Sequence, residues 1–158
     1  MPEDECTMTQ GVALPESLFQ LLRRGTPAVL ATQGSDGWPN AVMTWVATGD
    51  PRHIRFGVDL GTSTLANIRR EEKASLQIIG TGNVLFLVKG TTRMVKERIE
   101  ALPPPHLMCI MEMTPISVKD QSWVGVMVTP PAYQWVGSTQ QQMAKAEEAA
   151  VAEIRDWE

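Results

Sequence analysis

The sequence predicts a mainly β fold with peripheral α-helices: a small antiparallel barrel, closed or partly closed, of six to eight strands with two or three helices at its rim. Three observations predict it. Short apolar runs recur at hairpin spacing. Turn signals such as Ser35-Asp36-Gly37, Gly49-Asp50-Pro51 and Gly82-Asn83 separate them. Helical periodicity is confined to a few places, which excludes a doubly wound parallel sheet.

Residues 1–13 are polar, acidic and without periodicity, and read as a flexible N-terminal arm. In LPESLFQLLRRG, the residues Leu14, Leu18, Leu21 and Leu22 fall on one helical face. Pro15 suits a first turn, Arg23 and Arg24 complement the C-terminus, and Gly25 stops the helix. Ala28 to Gln33 and Asn40 to Thr48 form a hairpin, and His53 to Val58 a third strand. Thr64 to Glu72 reads as a helix with hydroxyls at its start. Ala74 to Thr81 and Val84 to Glu97 give a second hairpin, its long strand bent at Gly90. Pro103-Pro104-Pro105 marks a connection, which one helical turn at ERIEAL would precede. In Leu107 to Lys119, Pro115 points to an edge or a bulge. Two short strands are expected at Val124–Thr129 and Ala132–Val136, and a final helix from Ser138, rich in Ala, Gln and Glu. The expected units are thus the arm at 1–13, a barrel domain at 14–137, and a helix at 138–158 attached to that domain.

Composition narrows the function classes. The 158 residues carry 43% hydrophobic and 20% charged side chains, ordinary for one globular domain. A net charge of −4, with no basic stripe interleaved with aromatics, argues against nucleic acid. No apolar run reaches the length of a membrane span, and the first residues are acidic where a secretory signal is basic. Cys6 and Cys109 form no disulfide framework or metal spacing, so a cytoplasmic location is expected. Nine methionines suit soft core packing or an adaptable apolar cleft.

The chemistry-bearing residues are few. Thr62, Ser63 and Thr64 stand where a strand gives way to a helix, with Asn67, Arg69 and Arg70 following. Such a corner offers N–H groups and hydroxyls to a phosphate, and equally makes a plain helix cap. His53 and His106 are the two histidines, both expected at the surface, and no Ser-His-Asp set or metal site follows from their spacing. Neither GxGxxG nor GxxxxGK[ST] occurs. A chain poor in its own acids, bases and nucleophiles suits a cofactor host. Trp45 and Trp135 either stack on a flat ring or fill core.

The order of elements, the hairpin with PNAVMTWV, then IRFGVD, then Thr62-Ser63-Thr64-Leu65-Ala66-Asn67-Ile68 and ASLQI, resembles the pyridoxamine 5′-phosphate oxidase-like family of FMN-binding split barrels, over about residues 14–136. The resemblance implies a split β-barrel homodimer with FMN at its interface. Met43, Thr44 and Trp45 would lie beside the flavin ring. Gly57, Val58, Thr62, Ser63 and Thr64 would lie near the phosphate and ribityl chain, with Asn67. A partner subunit would complete the pocket, with Trp135 and its neighbours as candidates. Two features depart from the family. Thr64 stands where the family has a lysine, leaving Arg55, Arg69 or Lys89 to supply the charge. No arginine-rich C-terminal segment follows, so oxidation of pyridoxamine phosphate itself is not expected. The resemblance therefore implies an FMN-dependent oxidoreductase acting on an unidentified small substrate, without nucleic acid or membrane partners. The alternative is a non-catalytic module that stores or senses flavin or haem, and a deazaflavin coenzyme could replace FMN.

Overall fold

In a computed structural model, which describes residues 11–158, the alternating runs become six strands joined by tight turns. The elements are α1 (Glu16–Arg24), β1 (Thr26–Gln33), β2 (Pro39–Ala47), β3 (Ile54–Asp59), α2 (Ser63–Glu71), β4 (Lys73–Gly80), β5 (Val84–Lys96), β6 (Met108–Asp120) and α3 (Gln140–Asp156). The strands close into an antiparallel barrel in the order β1-β2-β3-β6-β5-β4.

Strand alternation decides what lies inside. In β1, Thr26, Ala28, Leu30 and Thr32 are buried while their neighbours are half-buried, as a period of two demands. Leu30, Ile54, Phe56, Leu76, Ile78 and Val88 fill the barrel, and α1 adds Leu18 and Leu22. Burial of each large apolar side chain is worth about 1.5–3 kcal/mol. Gly25 ends α1 with φ of 82° and its N–H donates to the Leu22 carbonyl, a conformation that favours glycine.

Pro115 occupies the position its chemistry allows. β6 pairs with β3 only through Met108–Met113, so among the described residues its edge beyond Met113 is free of strand partners and takes a bond from Val12 to the Pro115 carbonyl. Pro115 lies on that free half, opposite Gly90, at a register shift between Lys89 and Gly90. A side chain at Gly90 would run into the Thr114 carbonyl, so the bulge requires a glycine.

α3 packs on its own barrel. Ala150 and Ile154 join Ala47, Ile99, Leu102 and Ile110 in a second apolar cluster outside the barrel wall. Glu153 accepts from Lys96 Nζ at 3.0 Å and from the N–H groups of Glu100 and Ala101. Buried Glu112 binds Arg55 at 2.9 Å and Arg93 at 2.8 Å, and Arg55 donates to the Trp157 carbonyl. Burial works against the Glu112 carboxylate, but the two guanidiniums outweigh it and hold the group below its ordinary range.

Three expectations are corrected. The strands expected at 124–129 and 132–136 do not form: the segment is irregular, with a single bridge from Val128 to Gly82. Pro130 and Pro131 lack the N–H a ladder needs, and Trp123, Val124, Met127 and Val136 stay exposed, so no sheet face is buried to stabilise pairing. The turn around Glu97–Leu102 is not helical. The last helix begins at Gln140, after a Thr139 that makes no side-chain cap bond. Most of the expected arm falls outside the described residues. Within them, Val12 donates to the Pro115 carbonyl at 2.8 Å and the Gly11 carbonyl accepts from Arg52. Among the described residues, no helix is long and apolar enough to cross a membrane.

Candidate functional site

The barrel wall is split between β2 and β3. β2 pairs with β1 along its whole length, but with β3 only at Val46 and Ala47. Among the described residues its other edge has no strand partner from Pro39 to Trp45, and Gly57–Asp59 of β3 pairs with β6 alone. Among the described residues one side-chain bond crosses the gap: Thr44 Oγ1 donates to the Gly57 carbonyl at 2.5 Å. The register puts Asn40, Val42, Thr44 and Val46 on the inner face and Met43 and Trp45 on the outer. Val42 faces inward yet is 37% exposed, because no strand closes over it.

On the outer side of the split lies a cavity of about 320 Å³, lined by Met43, Thr44, Trp45, Asp59, His106, Met108, Tyr133 and Trp135 with Pro27. Its cover is the irregular segment before α3. Trp45 Nε1 donates to Tyr133 Oη. Trp135 Nε1 donates to Glu147 Oε2 of α3 at 3.0 Å, and the Trp135 ring meets His106 edge-on at 6.0 Å. Burial pushes the Glu147 carboxyl above its ordinary range, with Trp45 opposing and Glu148 adding to the rise. Aromatic walls, two thioethers and a few polar tips are what a flat, amphipathic ring requires.

The inner corner is built by α2. Thr62 caps it: its Oγ1 accepts from Leu65 N–H at 3.4 Å and donates to the Asp59 carbonyl at 2.7 Å. Ser63 is exposed at the first turn. Thr64 is buried, and its Oγ1 accepts from Asn40 Nδ2 at 2.9 Å. Asn67, also buried, donates to Thr32 Oγ1 at 3.1 Å and accepts from Arg70 at 3.2 Å. This network ties α2 to the first hairpin. The plain helix cap is present, with Thr62 bonded on both sides and the N–H groups of the first turn beside it.

The structure brings Met43, Thr44 and Trp45 together at the cavity, with Gly57 across the split from Thr44. A Cβ at Gly57 would stand 2.7 Å from Met108 Cε, so the strand passes close to that wall. Val58 points into the barrel core. Thr62, Ser63, Thr64 and Asn67 stand on α2 and do not line the cavity, and Arg55 is engaged with Glu112. Asp59, His106, Met108 and Tyr133 complete the lining without having been singled out from sequence as site residues. Their signal is spatial, since Tyr133 meets Trp45 across 88 positions of chain. Trp135 reaches the cavity within its own chain. Among the described residues no group of three or more histidine, cysteine or acidic side chains is placed to hold a metal.

A family model for pyridoxamine 5′-phosphate oxidase matches residues 14–103, from the approach to α1 to the turn beyond β5. Among solved structures, one named F420 reductase is 22% identical, with a TM-score of 0.58, and covers 68% of this chain and 100% of its own. A putative pyridoxamine 5′-phosphate oxidase from Listeria innocua is 15% identical, with a TM-score of 0.53 over 66% of this chain and 95% of that one. A conserved hypothetical protein from Mycobacterium tuberculosis is 17% identical, at a TM-score of 0.52 over 82% and 96%. At these identities the likeness concerns the fold. No curated protein matches the chain.

Proposed function

The chain belongs to the pyridoxamine 5′-phosphate oxidase family, and on that premise we propose that it is a cytoplasmic flavin-binding oxidoreductase that holds FMN in the β2–β3 split at a homodimer interface. The observation that carries the reading is the open edge of β2 above a cavity walled by Met43, Trp45, Met108, Tyr133 and Trp135. Unpaired backbone on one side and aromatic surface on the other suit the edge and face of a tricyclic ring.

The fit differs between the two ends of FMN. The ring end finds apolar walls, free strand edge and the proton-bearing groups of Tyr133 and His106. The phosphate end finds N–H groups and the Ser63 hydroxyl at the start of α2, without a lysine or arginine in the cavity lining. When bound, the flavin supplies hydride or single-electron transfer. The chain's part is to orient the ring through β2, to exclude water with the cover segment, and to hold a proton at Tyr133 Oη or on the His106 ring.

Exposed apolar side chains support the dimer. Trp38, Val42, Met43 and Ile116 are 74%, 37%, 51% and 48% exposed, and Val124 and Met127 project from the cover. Large apolar side chains left exposed in this way suit a surface that meets another chain. A second reading, a deazaflavin coenzyme in the same split, draws support from the fold shared with a protein named F420 reductase. The test is to purify the protein, add FMN or F420, and follow absorbance while NADH or NADPH and an electron acceptor are supplied. Repeated bleaching and recovery supports the enzyme; stable colour without turnover supports a binding module.

A further inference from the structure

Among the described residues no lysine or arginine lines the cavity, and the position of each candidate cation follows from the fold. Arg55 is paired with Glu112 and donates to the Trp157 carbonyl, on the side of β3 where α3 docks. Lys89 lies on the outer face of the barrel, where with Lys73 it lines a separate groove of about 430 Å³. Arg69 is exposed on α2 and is not among the residues that line the cavity. Arg70 donates to the Gln33 carbonyl at 2.5 Å and to Asn67. Thr64 is buried and already bonded to Asn40. The charged side chain that does line the cavity is a carboxylate, Asp59, on the residue whose carbonyl anchors the α2 cap. The formal charge in the cavity lining is therefore negative, and the first turn of α2 lies outside that lining.

From this charge distribution, and resting on the flavin reading above, we propose that the cleft recognises the ring system and is indifferent to the phosphate. It is a site for neutral flavins as much as for FMN. A phosphate gripped by arginine or lysine gains charge-assisted bonds about twice as strong as neutral ones. Here the cavity lining offers a phosphate no such cation, and its carboxylate, Asp59, opposes an anion. The same distribution disfavours strongly anionic substrates at the cavity mouth and admits neutral or cationic ring compounds.

The test is parallel titration of the full chain with FMN and with riboflavin, read by quenching of flavin fluorescence at low and at high sodium chloride. The dissociation constants are expected to agree within about three-fold, and the FMN value to change by less than about two-fold with salt. FMN binding about thirty-fold or more tightly than riboflavin, or weakening steeply with salt, would overturn the inference while leaving flavin binding intact. Binding of neither flavin by folded protein overturns the inference and the function together. The Ser63→Lys variant adds the missing cation at an exposed position. It is expected to favour FMN over riboflavin by about ten-fold. Equal affinities in that variant would place the phosphate away from α2 and contradict the proposal.

Discussion

Thr44→Val removes the side-chain hydrogen bond that crosses the split while keeping the shape of the side chain. The Thr44 hydroxyl is buried and donates to the Gly57 carbonyl at 2.5 Å. β2 reaches β3 only at Val46 and Ala47, so no strand N–H is available to replace it. The loss has two parts: a net hydrogen bond of about 1 kcal/mol, and a carbonyl left unpaired at a buried position, about 1–3 kcal/mol. Water entering from the open side of the split relieves part of the second, which leaves about 2 kcal/mol. For a chain of this length that corresponds to a fall in Tm of roughly 4–8 °C. Thermal unfolding followed by circular dichroism reads it directly. Thr44→Ser, which keeps the hydroxyl, is expected to lie between the variant and the wild type. The strands also part where the ring is proposed to sit, so flavin affinity should fall together with Tm. A Thr44→Val protein melting within about 1 °C of wild type would refute the bridging role of this bond.

Thr62→Ala removes the α2 cap and is expected to cost about 1 kcal/mol by urea denaturation; no change in midpoint would mean that the Leu65 bond contributes nothing. Glu112→Gln should cost about 2 kcal/mol at neutral pH, mostly through Arg55, because Arg93 is 74% exposed and contributes little. The Glu112 carboxyl is lowered in the fold from its ordinary 4.5, so its contribution is complete above that value and is lost as pH falls through the lowered one. Wild-type Tm should therefore drop steeply below about pH 4.5 and that of Glu112→Gln less so; parallel profiles would exclude the ion pair as the source.

Much of the barrel is legible in the sequence because each hairpin is a local event. Ser35-Asp36-Gly37 and Gly82-Asn83 set two of the turns, and alternating burial fixes which face turns inward. Pro115 and Gly90 could each be read as an irregularity, although their meeting at one bulge could not. The strands expected at 124–136 fail for want of a partner, since a strand is stabilised by the face it buries and this segment buries little. The candidate site divides in the same way. Met43, Thr44 and Trp45 share one strand, and the family resemblance names them together. Tyr133, Trp135 and His106 reach the cavity through loops, whose course local pattern does not specify. The corner at Thr62 shows how a cap and an anion site share one pattern, and there the charges nearby discriminate, not the hydroxyls.

The most direct measurement is flavin titration of wild type and Trp45→Ala, both checked for folding by circular dichroism. Trp45 lines the cavity and holds Tyr133 in its cover. Saturable quenching at one flavin per chain in the wild type, weakened at least about ten-fold in the variant, is the predicted result. Folded wild-type protein that leaves flavin fluorescence untouched, or a variant that binds equally well, would contradict a ring seated in the split.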